Sequence, residues 1–210
     1  MNKSTFFLLS ILTIAFYPII YSQEDTTVQR LSVGFQFGLN ASTVTGTSFQ
    51  GINKVGLLSS ICISKKIKEN INLDLNLSYS QKGTLKPPVP KNGDYTKYLM
   101  KLDYISSELY CRYQRKGIHY LGGLGMGVLI RAEETDENNQ VIVGNGDFSK
   151  MEITGALGIL FPLSDKFGIG VLGTHSLIPV RKHANGVTFR LNRGQYNQVV
   201  SFILKYTILS

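Results

Sequence analysis

The chain has 210 residues, with 22 Lys and Arg against 14 Asp and Glu, 21 Gly, two Cys, no Trp, 43% hydrophobic residues and only 17% charged ones. That length fits one domain, and so much apolar content with so little charge excludes a disordered chain. Two cysteines with no CxxC or paired Cys/His spacing exclude a disulfide-stapled scaffold and argue against a zinc site, so no cofactor is expected.

The first segment is an export signal. Lys3 supplies a positive start, residues 6–20 form an apolar run (FFLLSILTIAFYPII), and Ser22 followed by Gln23 offers a small residue at a cleavage point. The run is shorter than the roughly 20 residues a spanning helix needs, and Pro18 breaks it. Residues 1–22 therefore read as a cleaved signal peptide and residues 23–210 as one domain. No later apolar run reaches the length of a transmembrane helix, and helical periodicity is missing throughout.

What remains is a two-residue period, which predicts eight strands. Over 31–40, Leu31, Val33, Phe35, Phe37 and Leu39 alternate with Ser32, Gly34, Gln36, Gly38 and Asn40. Over 55–64 the apolar face carries Val55, Leu57, Ile61 and Ile63, with Leu58 and Cys62 blurring the other. The clearest case is 71–80, INLDLNLSYS, where Asp74 and Asn76 oppose Leu73, Leu75 and Leu77. The same rule marks 103–113, 117–131, 148–161, 167–177 and 198–208.

Connections alternate in length. KKIKEN, QRKG and PLSDK are short enough for tight turns, whereas 41–54, 81–102, 132–147 and 178–197 are long. In an up-and-down barrel with both termini on one side, the short turns share the terminal rim and the long loops share the other, the pattern of outer-membrane barrels. A secreted soluble barrel would need a charged exterior. Here the face opposite the aliphatic one is mostly Gly, Ser, Thr and Asn, which suits a small packed lumen. Tyr113, Tyr120, Phe161, Phe167 and Tyr206 fall at the turn-side ends of their strands, where an interfacial girdle sits. The expected fold is all-β, an eight-stranded antiparallel up-and-down transmembrane β-barrel.

The segments GFQFGLNAS, LSYSQKG, LDYISSELYCRY, GIHYLGGLGMGVL and ITGALGILFPLSDKFGIGV resemble successive strands of the PorT-like outer-membrane β-barrel family of Bacteroidota, over roughly residues 31 to 208. Three positions depart from the family pattern. Glu108 stands where members often carry Pro, Leu172 stands where many carry Arg, and the chain ends YTILS instead of in an aromatic residue. The resemblance implies an integral outer-membrane protein with its long loops extracellular and, for a minority of members, a part in protein secretion.

Eight strands enclose a lumen just wide enough for side chains to fill, too narrow for a general porin. The charges on the inward phase are Asp74, Glu108, Arg112, Arg131 and Glu152, costly unless paired. An Arg112–Asp74 pair with Glu108 nearby is expected as a structural plug, within a luminal charge cluster of Asp74, Glu108, Arg112 and Glu152. Catalysis finds little support. Of His119, His175 and His183, none sits beside a hydroxyl and a carboxylate on one face, and His175 and Ser176 point to opposite faces of a strand. No enzyme is expected, with a lipid A-modifying activity as the alternative.

The loops supply the remaining signal. Lys82, Lys86 and Lys91 surround a Pro-rich PPVP in one, and Arg181, Lys182, Arg190 and Arg193 lie in another. As extracellular basic loops they suit lipopolysaccharide phosphates as well as outer-membrane lipids, partner loops or plain solvation. Secretion-machinery proteins remain possible partners. Nucleic acid is excluded by compartment and by the lack of a basic groove interleaved with stacking aromatics. Cys62 and Cys111 fall on opposite faces, which precludes a disulfide.

Overall fold

The computed structural model describes residues 31–46, 52–142, 146–182 and 194–209. The expected signal peptide and cleavage point, His183, Arg190 and Arg193 lie outside the described residues. Alternating segments form β1 (Leu31–Thr45), β2 (Lys54–Lys68), β3 (Ile71–Lys86), β4 (Tyr98–Arg115), β5 (Ile118–Thr135), β6 (Met151–Pro162), β7 (Phe167–Ser176), the two-residue β8 (Arg181–Lys182) and β9 (Gly194–Leu209). Neighbours pair antiparallel in sequence order, and β1 pairs with β9 from Val33↔Leu209 to Thr45↔Tyr196. Eight strands thus close on themselves, while β8 only adds a short ladder to the start of β9.

The turn-side connections are tight. Between β4 and β5, Lys116 and Gly117 both take positive φ, 49° and 77°, the left-handed pair that joins two strands without splaying them. At the other end several strands outrun their expected limits. β3 continues to Lys86 and β4 begins at Tyr98, paired Lys86↔Tyr98, so much of the expected loop 81–102 is barrel wall.

The polarity of the wall is inverted relative to a water-soluble domain. Gln36, Asn40, Ser60, Asp74, Asn76 and Ser78 are buried, whereas Phe37, Leu39, Val55, Leu124 and Phe202 point out and are exposed. An apolar exterior around a polar interior is stable where hydrocarbon, not water, surrounds the wall, and closure leaves no strand edge unpaired there. The fold is an eight-stranded antiparallel transmembrane β-barrel. Its turn-side aromatics sit together on the outside: Tyr113 pairs across strands with Tyr120, and the Phe167 and Tyr206 rings are 4.8 Å apart.

One expectation fails on a backbone detail. Arg131 is not in the lumen. Tyr104 faces Leu129 but Asp103 faces Arg131, so Ile130 is an extra residue in β5. Such a bulge reverses the facing of everything beyond it. Arg131 is consequently exposed, and Glu134 turns inward and is buried. Just inside this level Val44, Met100, Leu102 and Tyr104, with Leu129, Tyr98 and Phe148 against them, form an apolar stopper across the loop side of the lumen.

Leu157, 75% exposed near the middle of β6, is among the most outward side chains. If lipid covers it, Leu157→Arg destabilises the barrel refolded in bilayers by about 2–4 kcal/mol, against a negligible effect for an exposed site in water. Urea unfolding in phospholipid vesicles reads the difference.

Candidate functional site

The lumen carries the chemistry of this protein in a series of polar nodes. Nearest the turns, Asp74 on β3 accepts from Arg112 Nε at 2.9 Å and Nη2 at 3.1 Å, and from Lys205 Nζ at 3.1 Å. Lys205 also donates to Ser64 Oγ at 3.3 Å, and Arg112 Nη1 lies 3.5 Å from His119 Nδ1. The Arg112 fork uses two nitrogens on two carboxylate oxygens, a geometry that offsets much of the cost of removing both charges from water.

In the middle, Glu108 Oε2 accepts from Ser78 Oγ at 2.9 Å and from the Tyr110 hydroxyl at 3.0 Å, and Ser60 shares the Ser78 hydroxyl at 2.8 Å. No cation is within ion-pair distance of Glu108 among the described residues. Asn40 accepts from Ser201 at 2.7 Å and donates to Ser80 at 2.9 Å, tying β1, β9 and β3 together.

Toward the loops, Glu152 is fully buried and accepts from Lys82 Nζ at 2.7 Å, Ser176 Oγ at 2.6 Å and Asn197 Nδ2 at 2.8 Å. The Lys82 ammonium also lies 5.0 Å from the centroid of the Tyr104 ring. Asp74, Glu108, Arg112 and Glu152 therefore share the lumen but not one cluster. Arg112 and Asp74 bond directly, whereas Glu108 and Glu152 each have their own donors. Glycines on β5 make room for these side chains: a Cβ on Gly125 would come within 3.0 Å of Glu108 Cγ and 2.6 Å of Thr154 Oγ1.

Two of the residues expected in extracellular basic loops are buried instead. Lys82 lies on the inward phase of β3, because the strand continues past the point where its sequence turns polar. Arg181, at β8, makes a two-pronged pair with Glu134, 2.7 and 3.0 Å, while its Nε donates to Gln195 Oε1 at 3.0 Å. Tyr98 donates to the same carboxylate, and the Arg181 guanidinium stacks 4.3 Å from the Phe148 ring centroid. The bulge at Ile130 is what delivers Glu134 to this pair. Lys86 is an ion-pair partner of Asp94 at 2.8 Å inside the β3–β4 hairpin. Lys91, in the short 3-10 turn Pro90–Asn92, and Lys182 are exposed.

Lys205 and Asn197 escaped the sequence reading, which places Lys82 in a loop. Lys205 was legible, since Leu204 and Tyr206 on the outward phase of β9 place it inward. Lys82 and Asn197 needed strand limits that alternation alone does not give. Ser176 is buried on Glu152 and His175 is exposed, stacked 5.9 Å from Tyr196. Cys62 is buried, Cys111 exposed, and both are free thiols.

Between Asp74, Tyr110, Leu160, Leu172 and Lys205 a gap of about 10 Å³ is left, room for about one water. At the turn-side mouth a cavity of about 270 Å³ opens, with Arg112, His119 and Lys205 among its lining residues.

No family model and no curated protein matches the chain. Among solved structures it is similar to Ail, the attachment invasion locus protein of Yersinia pestis, crystallised in complex with the heparin analogue sucrose octasulfate, at 11% identity over 85% of this chain and 99% of that one, TM-score 0.48. Neisserial surface protein A is 12% identical over 85% of this chain and 97% of that chain, TM-score 0.49. The outer membrane protein OprG from Pseudomonas aeruginosa is 13% identical over 86% and 95%, TM-score 0.31. At these identities and scores the likeness bears on neither ligand nor role.

Glu152→Gln leaves the Lys82 ammonium buried without its counter-charge and lowers stability by about 3–5 kcal/mol, whereas the double change Lys82→Met with Glu152→Gln recovers part of the loss. Urea titration of the refolded barrel measures both. At the hairpin tip, hydrogen bonds from Lys86 and Thr96 draw the Asp94 carboxyl down to about 2. Its folded value is depressed, so its support for the tip is complete above the ordinary aspartate range and lost as pH falls through about 2. Carboxyl-detected NMR is expected to show this midpoint, and Lys86→Gln to raise it.

Proposed function

We propose that this chain is a non-enzymatic integral outer-membrane protein with a structural or surface-binding role, exported by its signal peptide and embedded with its long loops extracellular. The observation that carries the reading is the filled lumen: an apolar stopper above, paired charges below it, and an interior gap with room for no more than about a single water. A wall that invests several buried ion pairs in blocking its own bore is poorly suited to diffusive transport. The opposite facing of His175 and Ser176, and the engagement of Ser176 with Glu152, support a non-enzymatic role over a lipid A-modifying one. Outer-membrane lipids are the partners the exterior suits, and the exposed Lys91 and Lys182, with Arg190 and Arg193 in the sequence, suit lipopolysaccharide phosphates at the rim.

The strand segments that resemble PorT-like barrels of Bacteroidota support a second reading, an accessory component of a PorT-type secretion system. Pull-down from native membranes separates the two, since a machine component recovers stoichiometric protein partners. For the first reading the test is conductance. Reconstituted in planar bilayers, the protein is expected to give no stable channel steps, and steady nanosiemens openings of the wild-type protein would overturn it.

A further inference from the structure

The turn-side mouth holds an imbalance of charge that the barrel's own architecture does not resolve. Lys66, Lys166, Arg112 and Lys205 line the cavity together with Glu69 and Asp165. The two carboxylates offset the first two lysines in charge. That leaves Arg112 and Lys205 with a single counter-charge, Asp74, to which both are bonded. One positive charge is therefore in excess, on side chains only 13% and 11% exposed.

The donors are not exhausted either. Arg112 spends Nε and Nη2 on Asp74 and keeps Nη1, whose neighbour is His119 Nδ1 at 3.5 Å. A guanidinium only donates, so that ring nitrogen accepts and the imidazole proton sits on Nε2 as a further donor. Lys205 has three protons and two partners, Asp74 and Ser64. Behind this floor the bore narrows to the gap of about 10 Å³, so the mouth is a pocket with low-dielectric walls, which concentrates the field of an unbalanced cation. Its volume, about 270 Å³, is ample for a tetrahedral oxyanion and the atoms attached to it.

We propose that the turn-side mouth binds a phosphate group, held by Arg112, Lys205 and His119. Three convergent donors with one surplus positive charge match the oxygens of phosphate better than a planar carboxylate, which would duplicate Asp74. The group could be free phosphate or the headgroup of a phospholipid in the adjoining leaflet, and the two sources share this chemistry.

The test uses the refolded barrel in non-ionic maltoside micelles and phosphate-free buffer. Inorganic phosphate is titrated in at constant ionic strength while the His119 ring resonances are followed by NMR, and the same is done with phosphatidylglycerol doped into the micelles. A saturable one-site shift of His119 with either probe is the expected result, and which probe saturates identifies the source. Lys205→Gln, checked for folding by its heat-dependent gel mobility, is expected to weaken that binding by at least about tenfold, the loss of one charged hydrogen bond. A His119 response that rises linearly without saturation for both probes overturns the proposal, whether or not the variant folds. So does an affinity unchanged in folded Lys205→Gln. Neither result touches the conductance test, which reads the closed bore and not its mouth.

Discussion

A peptide group in hydrocarbon has no water to bond, and this constraint dictates the rest of the molecule. Every N–H and C=O of the spanning wall must find a partner on a neighbouring strand, so the sheet has to close, and β1 meets β9 over thirteen paired positions from Val33 to Thr45. Once closed, a strand has one face toward lipid and one toward a narrow bore. The two-residue alternation visible in the sequence follows from that geometry, as does its inversion of inside and outside. Apolar side chains such as Leu39, Leu124 and Leu157 go outward because lipid costs them nothing, and the small polar ones are left to fill the interior.

Filling a bore with polar groups raises a second problem, because buried charges are stable only when paired and hydrogen-bonded. The barrel solves it with cross-lumen bonds between strands that are not neighbours. Lys82 on β3 reaches Glu152 on β6, and Lys205 on β9 reaches Asp74 on β3. These bonds brace the ring from within in the way a hydrophobic core braces a soluble domain. Glycines on the neighbouring strand are the complement of this arrangement: Gly125 gives up a side chain where Glu108 and Thr154, its paired residues, need the space.

Much of this was legible in the sequence, and the reasons for the failures are physical. Alternation identified all eight wall strands, because lipid contact imposes it strictly through the spanning region. It lost the strands above that region, where β3 and β4 run on as a paired hairpin through Lys82, Thr84 and Lys101. Beyond the hydrocarbon a strand need not be apolar on either face, so its sequence resembles a loop. The bulge at Ile130 left no compositional mark, and with it went the placement of Arg131. The Arg112–Asp74 contact lay within reach because adjacent strands carry both residues. Lys82 and Glu152 are 70 positions apart on strands that do not touch, and only the ring brings them together.

The ladder between β1 and β9 joins the earliest described strand to the last, so the contact that finishes the wall spans nearly the whole described chain. A polypeptide that has formed every other ladder still presents two raw edges, one on β1 and one on β9, each ready to recruit a strand from another molecule. The most hazardous species in folding is accordingly the nearly complete one, and it persists until the closing ladder forms. Keeping those two edges from other strands until they find each other is the demand this topology places on its own folding.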